Sequence, residues 1–378
     1  VLFANTDWYL YNFRRSLALA LQRRGYDVLL LSPAGPYGER LRALGLQWEP
    51  VPMDRSSLNP FREIKLLWHL WRLFRRERPS LVHSFTIKCA VYGSLTARLA
   101  RVPARINAVA GMGYVFISDD RKARLLRPIV RMLLKQALGG RSARLILQNP
   151  DDVALFERAG LVDSLRVRMI RGSGVDCSRF AVRSRYTREN TPALAQRVLL
   201  PSRLLWDKGI AEFVSAARQL HAEGRAIIFL LAGDPDPGNP AAVPEATVRS
   251  WVKEGVLEWL GHVEDMPTLY ASVDMVVLPS YREGLPKSLI EAAACGLPLV
   301  ATDVPGCREV IADNEDGLLV PVRDASALAA AIARLLDDHE LAARLGAAAR
   351  KKALVEFDER IVIERTIEVY RELLGESV

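Results

Sequence analysis

The chain has 378 residues, is 50% hydrophobic and carries a net charge of +8, a composition and length that suggest two globular domains. No apolar run reaches the roughly 18 to 20 residues of a membrane span. The scattered Cys89, Cys177, Cys295 and Cys307 form no CxxC pair and the five histidines are dispersed, which argues against a disulfide framework and against a zinc site.

Short β-type runs alternate with longer helical ones almost from end to end, the pattern of parallel sheets wrapped by helices. "VLFAN", "DVLLLS", "WEPVP", "LVHS", "RINAVA", "RLILQ" and "RVRMI" are the strand candidates of the first half. "RVLLPS", "AIIFLLAG", "LEWLG", "DMVVLPS", "PLVAT" and "GLLVP" follow in the second, and 13–24, 61–77, 121–138, 208–222, 286–295 and 326–336 are among the helices. The order restarts near residue 197, after the polar stretch 182–196. The expected organisation is therefore an α/β pair of Rossmann-like lobes, 1–181 and 197–356, joined by a linker at 182–196 and facing across a cleft. The closing run from 357 to 378 reads as an amphipathic helix with Ile361, Ile363, Ile367, Val369 and Leu373, able to cross back to the first lobe. Charge is divided in the same way: residues 1–190 hold 33 Lys and Arg against 15 Asp and Glu, and residues 191–378 hold 19 against 29. The basic half suits an anionic partner.

"SYREGLPKSLIEAAACGLP" (280–298) concentrates the chemistry of the second half. Pro286 fits a first helical turn and Gly284 permits close backbone approach. The amides around Gly284, Leu285, Lys287 and Ser288 then lie at a helix N-terminus that attracts phosphate. Glu291, about one and a half turns inside, can accept from a pair of sugar hydroxyls. Taken by themselves, Lys287 and Glu291 also read as an i,i+4 surface pair, and Glu283 as a carboxylate favouring the helix dipole. A second feature shifts the balance: "LLPSRLLWDKG" (199–209) sets Arg203 and Lys208 at a strand-to-helix turn, two cations suited to a diphosphate.

These residues, with "NFR" (12–14), "LNPFREI" (58–64), "LVHSFTIK" (81–88), "VAGMGYVF" (109–116), "SGVDCSRF" (173–180), "LAGDPDPGNP" (231–240) and "ATDVPGCREVI" (301–311), resemble the retaining glycosyltransferases of the GT4 family. The likeness runs over nearly the whole chain. It is strongest to the branch that builds capsular polysaccharide, O-antigen and lipid-linked oligosaccharides, including N-acetylgalactosaminyltransferases of bacterial N-glycosylation. The resemblance implies the two-lobed GT-B fold and transfer of a sugar, an N-acetylhexosamine, from a UDP-sugar to a polyprenyl-diphosphate-linked saccharide. It implies that Arg203 and Lys208 hold the donor diphosphate, that Glu291 binds the ribose, and that Glu283 contacts the transferred sugar. The turn "GHV" (261–263), with Val263, would line the nucleobase. Arg203, Lys208 and Glu283 are the catalytic candidates. Asn12, Arg14, His83, Lys88, Gly111 and Gly113 are the acceptor candidates, although Phe85 stands where relatives often have a second histidine, and Ala110 where many have His or Thr. No metal cofactor is expected, since the cations and helix amides can stabilise the leaving diphosphate. Asp234-x-Asp236 reads as a turn after a strand.

Two basic amphipathic stretches bear on the membrane. In 59–79, Ile64, Leu67, Trp68, Trp71 and Phe74 read as one helical face that packs on the sheet, with Arg62, Lys65, Arg72, Arg75 and Arg76 elsewhere. The segment 118–141 is the better candidate for an anionic membrane surface. No signal peptide stands before the first strand, so the expected location is cytoplasmic and peripheral on the inner membrane. Other readings fare worse. A nucleotide-sugar epimerase on the same fold would need a carboxylate and histidine constellation. A dinucleotide-dependent dehydrogenase would need GxGxxG where the chain has "FANTDWYLYNF". A nucleic-acid binder would leave the acidic half's anion site without a purpose, and no nucleic-acid-binding module is visible.

Overall fold

The expected strands all form, and they assemble into two separate all-parallel sheets. A computed structural model describes residues 1–54, 57, 59–109, 121–180, 195–236 and 239–375. It divides into two compact units, Val1–Gly174 with Glu359–Val378, and Val175–Asp358. The stretch 182–194 of the expected linker lies outside the described residues. Val175, Cys177 and Phe180, counted with the first lobe on sequence, pack instead into the core of the second.

In the first unit the strands are β1 (Leu2–Phe3), β2 (Leu29–Ser32), β3 (Gln47–Pro50), β4 (Leu81–Phe85), β5 (Ala104–Ala108), β6 (Ala143–Leu147) and β7 (Val167–Met169), in the order β3-β2-β1-β4-β5-β6-β7. The second unit holds β8 (Gln196–Pro201), β9 (Ile227–Ala232), β10 (Glu258–Gly261), β11 (Met275–Leu278), β12 (Leu299–Thr302) and β13 (Leu318–Val320), ordered β10-β9-β8-β11-β12-β13. Strands buried on both faces need continuous apolar runs, and "MVVL" of β11 and "LVAT" of β12 are buried throughout. Both sheets reverse direction of growth beside their first strand, between β1 and β4 and between β8 and β11. Carboxyl ends at such a switch point are where α/β sheets bind ligands.

The closing helix, Glu359–Leu374, belongs to the first unit, where Val362, Ile363, Ile367, Val369 and Tyr370 join the core around Leu2, Leu17 and Leu30. Its Glu372 accepts from Arg144 at 2.7 Å and Arg168 at 2.5 Å, which ties it to β6 and β7. At the first strand-turn, the Asp7 carboxylate accepts from the amides of Tyr37 and Gly38 at 2.6 and 3.0 Å. The chain thus places its own anion at the N-terminus of helix Pro36–Ala43, which follows β2.

One expectation about faces is corrected. In helix Pro60–Glu77 the buried side chains are Leu66, Leu70, Leu73 and Phe74, whereas Ile64, Trp68 and Trp71 are exposed together with Phe61. The sequence offers more apolar residues than one stripe can hold, so the helix carries two. Of 118–141, residues 118–120 lie outside the described residues. Helix Arg121–Leu138 buries Leu134, Ala137 and Leu138 and exposes Ile129 and Met132.

Candidate active site

The second unit brings Lys208 and Glu283 together through two close backbone approaches. After β8 the chain turns through Arg203 and a short 3-10 turn, Trp206–Lys208, before helix Ile210–Ala222 begins. Gly209 sits between them with φ of 71°, and a Cβ there would lie 2.0 Å from the carbonyl oxygen of Pro279. Only glycine meets both conditions. The amide of Tyr281 donates to the carbonyl of Asp207 at 2.8 Å, locking the two loops side by side. In that setting Lys208 Nζ donates to Glu283 Oε1 at 2.6 Å, and both side chains are mostly buried, at 15% and 13% exposure. Gly306, at the start of helix Pro305–Val310, supports the same loop from behind: a Cβ there would fall 2.6 Å from the carbonyl oxygen of Gly284.

Helix Lys287–Ala294 follows, with Pro286 as its N-cap, one position earlier than expected. Glu291 points back beside it: its Oε1 lies 3.7 Å from Lys287 Nζ, and its Oε2 accepts from the fully buried Tyr270 hydroxyl at 3.2 Å. That phenol also lies 3.1 Å from the carbonyl of Ser288. Burial raises the Glu291 carboxyl above its ordinary value, against the opposing pull of Lys287 and the Tyr270 hydrogen bond. Leu285 packs against the core, as does Val263. The 261–263 turn is tied in place where Gly233 donates to the carbonyl of Gly261 at 2.8 Å.

Arg203 has a partner of its own. Half exposed, it donates to Asp236 Oδ2 at 2.8 Å. The Asp234-x-Asp236 turn thus supplies a counter-ion for Arg203. Among the described residues no group of three or more His, Cys, Asp or Glu side chains is placed to hold a metal ion.

The acceptor candidates divide. Gly111 and Gly113 lie outside the described residues. Asn12 donates to the carbonyl of Trp8 at 3.0 Å. Lys88 Nζ donates to the carbonyls of Asp54 and Ser57 at 2.7 and 3.0 Å and to Glu63 at 2.9 Å. These three bonds use the three protons of the ammonium and clamp a loop to helix Pro60–Glu77. Arg14 and His83 differ from these. A π-helical turn over Leu10–Arg14 carries the Arg14 guanidinium over the ring of Phe85 at 4.3 Å, with one bond to the Tyr9 hydroxyl at 2.9 Å. His83 Nδ1 lies 2.6 Å from the hydroxyl of Tyr370. Burial, then the nearby Arg14 charge, hold the imidazole well below its ordinary pKa, so it is neutral. Arg14 Nε and His83 Nε2 are both buried without a hydrogen-bond partner.

Sequence reasoning missed Tyr270, whose position has no spacing relation to Glu291. It missed the role of Gly306, although the quoted stretch 301–311 contains it, and Tyr370, which the apolar pattern of the last helix hides.

Comparison with known proteins agrees with the two-unit division. Residues 195–338 match the family model "Glycosyl transferases group 1", and residues 1–148 match "Glycosyl transferase 4-like". The chain belongs to this glycosyltransferase family, and it is an enzyme of sugar transfer. It is 30% identical over 370 residues to the N,N'-diacetylbacillosaminyl-diphospho-undecaprenol α-1,3-N-acetylgalactosaminyltransferase of Campylobacter jejuni, covering 96% of this chain and 95% of that one. It is 27% identical to the UDP-Gal:α-D-GlcNAc-diphosphoundecaprenol α-1,3-galactosyltransferase of Escherichia coli, over 77% of this chain and 75% of that protein. Among solved structures, sucrose-phosphate synthase from Thermosynechococcus elongatus superposes with a TM-score of 0.82 at 22% identity, covering 100% of this chain and 99% of the other. The fold is GT-B.

Proposed function

We propose that this enzyme moves a sugar, an N-acetylhexosamine, from a UDP-sugar to a polyprenyl-diphosphate-linked saccharide, with retention of configuration. The observation that carries the donor half is the contact between Lys208 and Glu283 at the mouth of helix Lys287–Ala294. The acceptor half rests on the two relatives, whose names specify diphospho-undecaprenol-linked sugars.

In this reading Lys208 and the first turn of the helix receive the donor diphosphate, with Arg203 exchanging Asp236 for a phosphate oxygen. Glu283, released from Lys208, accepts hydrogen bonds from the transferred sugar. Glu291 accepts from the ribose hydroxyls, and Tyr270 keeps it aligned. The bond from the anomeric carbon to the diphosphate breaks, and its electron pair stays on the departing oxygen. The acceptor hydroxyl bonds to the anomeric carbon on the same face, and its proton passes to a phosphate oxygen. Fixed cations that meet the developing charge are the largest catalytic contribution available here, and the chemistry needs no metal.

On the acceptor side, Arg14 Nε and His83 Nε2 are among the groups with unused hydrogen-bonding capacity. A buried Arg14 Nε–H without a partner is costly and a ligand oxygen satisfies it, while His83 Nε2 donates or accepts according to its tautomer. Among the described residues no helix is long and apolar enough to cross a membrane. We place the enzyme peripherally, on the cytoplasmic face of the inner membrane, with the basic first unit against anionic lipid.

The test is turnover of UDP-N-acetylhexosamines on a polyprenyl-diphosphate saccharide, after thermal-shift screening of nucleotide sugars. Arg203→Ala and Glu283→Ala should each reduce turnover by about 10² or more. Rates like those of the unsubstituted enzyme in both variants would refute the assignment.

A further inference from the structure

His83 stands in the middle of the first sheet, where its backbone pairs with Leu2 of β1 and Ile106 of β5. Its side chain is buried and packs on the ring of Phe85, with centroids 4.1 Å apart. The Arg14 guanidinium lies 4.3 Å from the centre of the same ring, so one aromatic side chain contacts both groups. Arg14 is only 5% exposed, and its one hydrogen bond among the described residues goes to the Tyr9 hydroxyl. No carboxylate among those residues pairs with it. A cation buried without a counter-ion is costly, and so is a buried N–H without an acceptor. Both costs fall when a ligand brings oxygens to the place.

What His83 offers such a ligand depends on which ring nitrogen holds the proton. Burial, then the Arg14 charge, keep the ring neutral, so one nitrogen alone carries it. Nδ1 lies 2.6 Å from the hydroxyl of Tyr370, and it is the one hydrogen-bond partner of that buried phenol among the described residues. With the proton on Nδ1, the imidazole would donate and the phenol O–H would be left without an acceptor. With the proton on Nε2, the phenol donates to Nδ1 and the Nε2–H is the donor left over. Each arrangement strands one donor, but the first also strands the lone pair of Nε2. An imidazole nitrogen is a far stronger acceptor than the phenol oxygen that the second leaves unused, so the second is favoured. The separation agrees: 2.6 Å is below the range of about 2.7 to 3.2 Å usual for an N–H donor and suits an O–H donor.

We propose that Tyr370 is a positioning residue for sugar transfer. Its phenol donates to His83 Nδ1 and fixes the ring proton on Nε2, so that His83 Nε2–H and Arg14 Nε–H receive oxygens of the acceptor saccharide. This rests on the acceptor reading above and deepens it. A neutral imidazole protonated at Nε2 gives a hydrogen bond there and takes no proton. His83 therefore orients the acceptor and is not the base for its hydroxyl, whose proton passes to a donor phosphate oxygen. Val362, Ile363, Ile367 and Val369 hold the closing helix in the core of the first unit and so set the place of the phenol. The helix that ends the chain thereby contributes to the acceptor site through a side chain that never touches the ligand.

Long-range proton–nitrogen correlation spectra of the full chain, with isotopically labelled histidine, read the tautomer directly and need no substrate. His83 is identified among the five histidines by the signals that His83→Asn removes. The expected result is a neutral ring protonated at Nε2, turning into a mixture of both forms in Tyr370→Phe. A proton on Nδ1 in the unsubstituted chain would overturn the proposal. In steady-state kinetics, Tyr370→Phe should raise the KM for a polyprenyl-diphosphate saccharide about tenfold, the size of one hydrogen bond. The KM for the UDP-sugar should not move. His83→Asn should show the same acceptor KM with and without Tyr370→Phe, since the phenol acts through the imidazole. Additive losses in the double variant, or equal rises in both KM values, would show a merely structural role for Tyr370. A kcat lowered by about 10² or more in His83→Asn would make His83 a base and refute its part as a donor. Absence of turnover on every such acceptor, with the Nε2 proton found, would sink the transferase reading and leave the Tyr370–His83 arrangement standing.

Discussion

The two sheets share one strand order, yet the charged side chains beside their switch points find different partners. In the second unit cations meet carboxylates: Lys208 with Glu283, Lys287 near Glu291, Arg203 with Asp236. In the first, Arg14 lies against aromatic rings and His83 is kept neutral, with a nitrogen of each left unsatisfied. A site meant to grip a diphosphate can store its cations on carboxylates and exchange partners when the anion arrives. One that holds a buried donor without a partner, as at Arg14 Nε, is less stable until an oxygen fills the place. The proposed anion site can lie in the acidic half of the chain, since net charge and local charge are different quantities.

Four experiments probe that difference. Lys208→Ala should have the largest effect, lowering kcat/KM by about 10² to 10³, because it removes a fixed cation from the leaving group. Steady-state kinetics decide it, and a loss under threefold would show that the exchange of partners plays no part. Gly209→Ala comes next: the left-handed backbone alone costs about 1 to 2 kcal/mol, and the 2.0 Å approach to Pro279 adds to it. Thermal unfolding should drop, with turnover falling further than stability explains as Lys208 shifts. Tyr270→Phe should raise the KM for the nucleotide sugar about tenfold, the size of one hydrogen bond to a charged group, with kcat nearly unchanged. An unaltered KM would detach Glu291 from the ribose.

The smallest effect belongs to His83 and runs with pH. Its folded pKa lies well below the ordinary 6.5. Between the two values the unfolded chain therefore binds a proton that the folded one refuses. Stability from this group is full above about pH 6.5 and falls by up to about 1.4 kcal/mol per unit as pH drops toward the folded pKa. Denaturation curves from pH 7.5 to 5 should show the slope, and His83→Asn should flatten it.

Strand positions, the division into two units and the loop that enters helix Lys287–Ala294 were legible in the sequence, because each depends on local pattern. Apolar runs of four to six residues read as buried parallel strands, and "REGLPKSLIE" announces a loop entering a helix. Spacing along one chain segment is enough for Glu283, Lys287 and Glu291. Lys88 shows the limit: no spacing in the sequence announces that oxygens from residues 54, 57 and 63 accept its three protons.

By itself the sequence determined which segments are strands and helices, where charge accumulates and which family the chain joins, because these follow from residue order and short-range periodicity. Tertiary structure decided which charges meet: Lys208 on Glu283, Arg203 on Asp236, Tyr270 on Glu291, Tyr370 on His83. It also decided which of two apolar stripes on helix Pro60–Glu77 turns inward. Pairing energies and burial depend on distances between residues far apart in the chain, and those exist only once both sheets have packed.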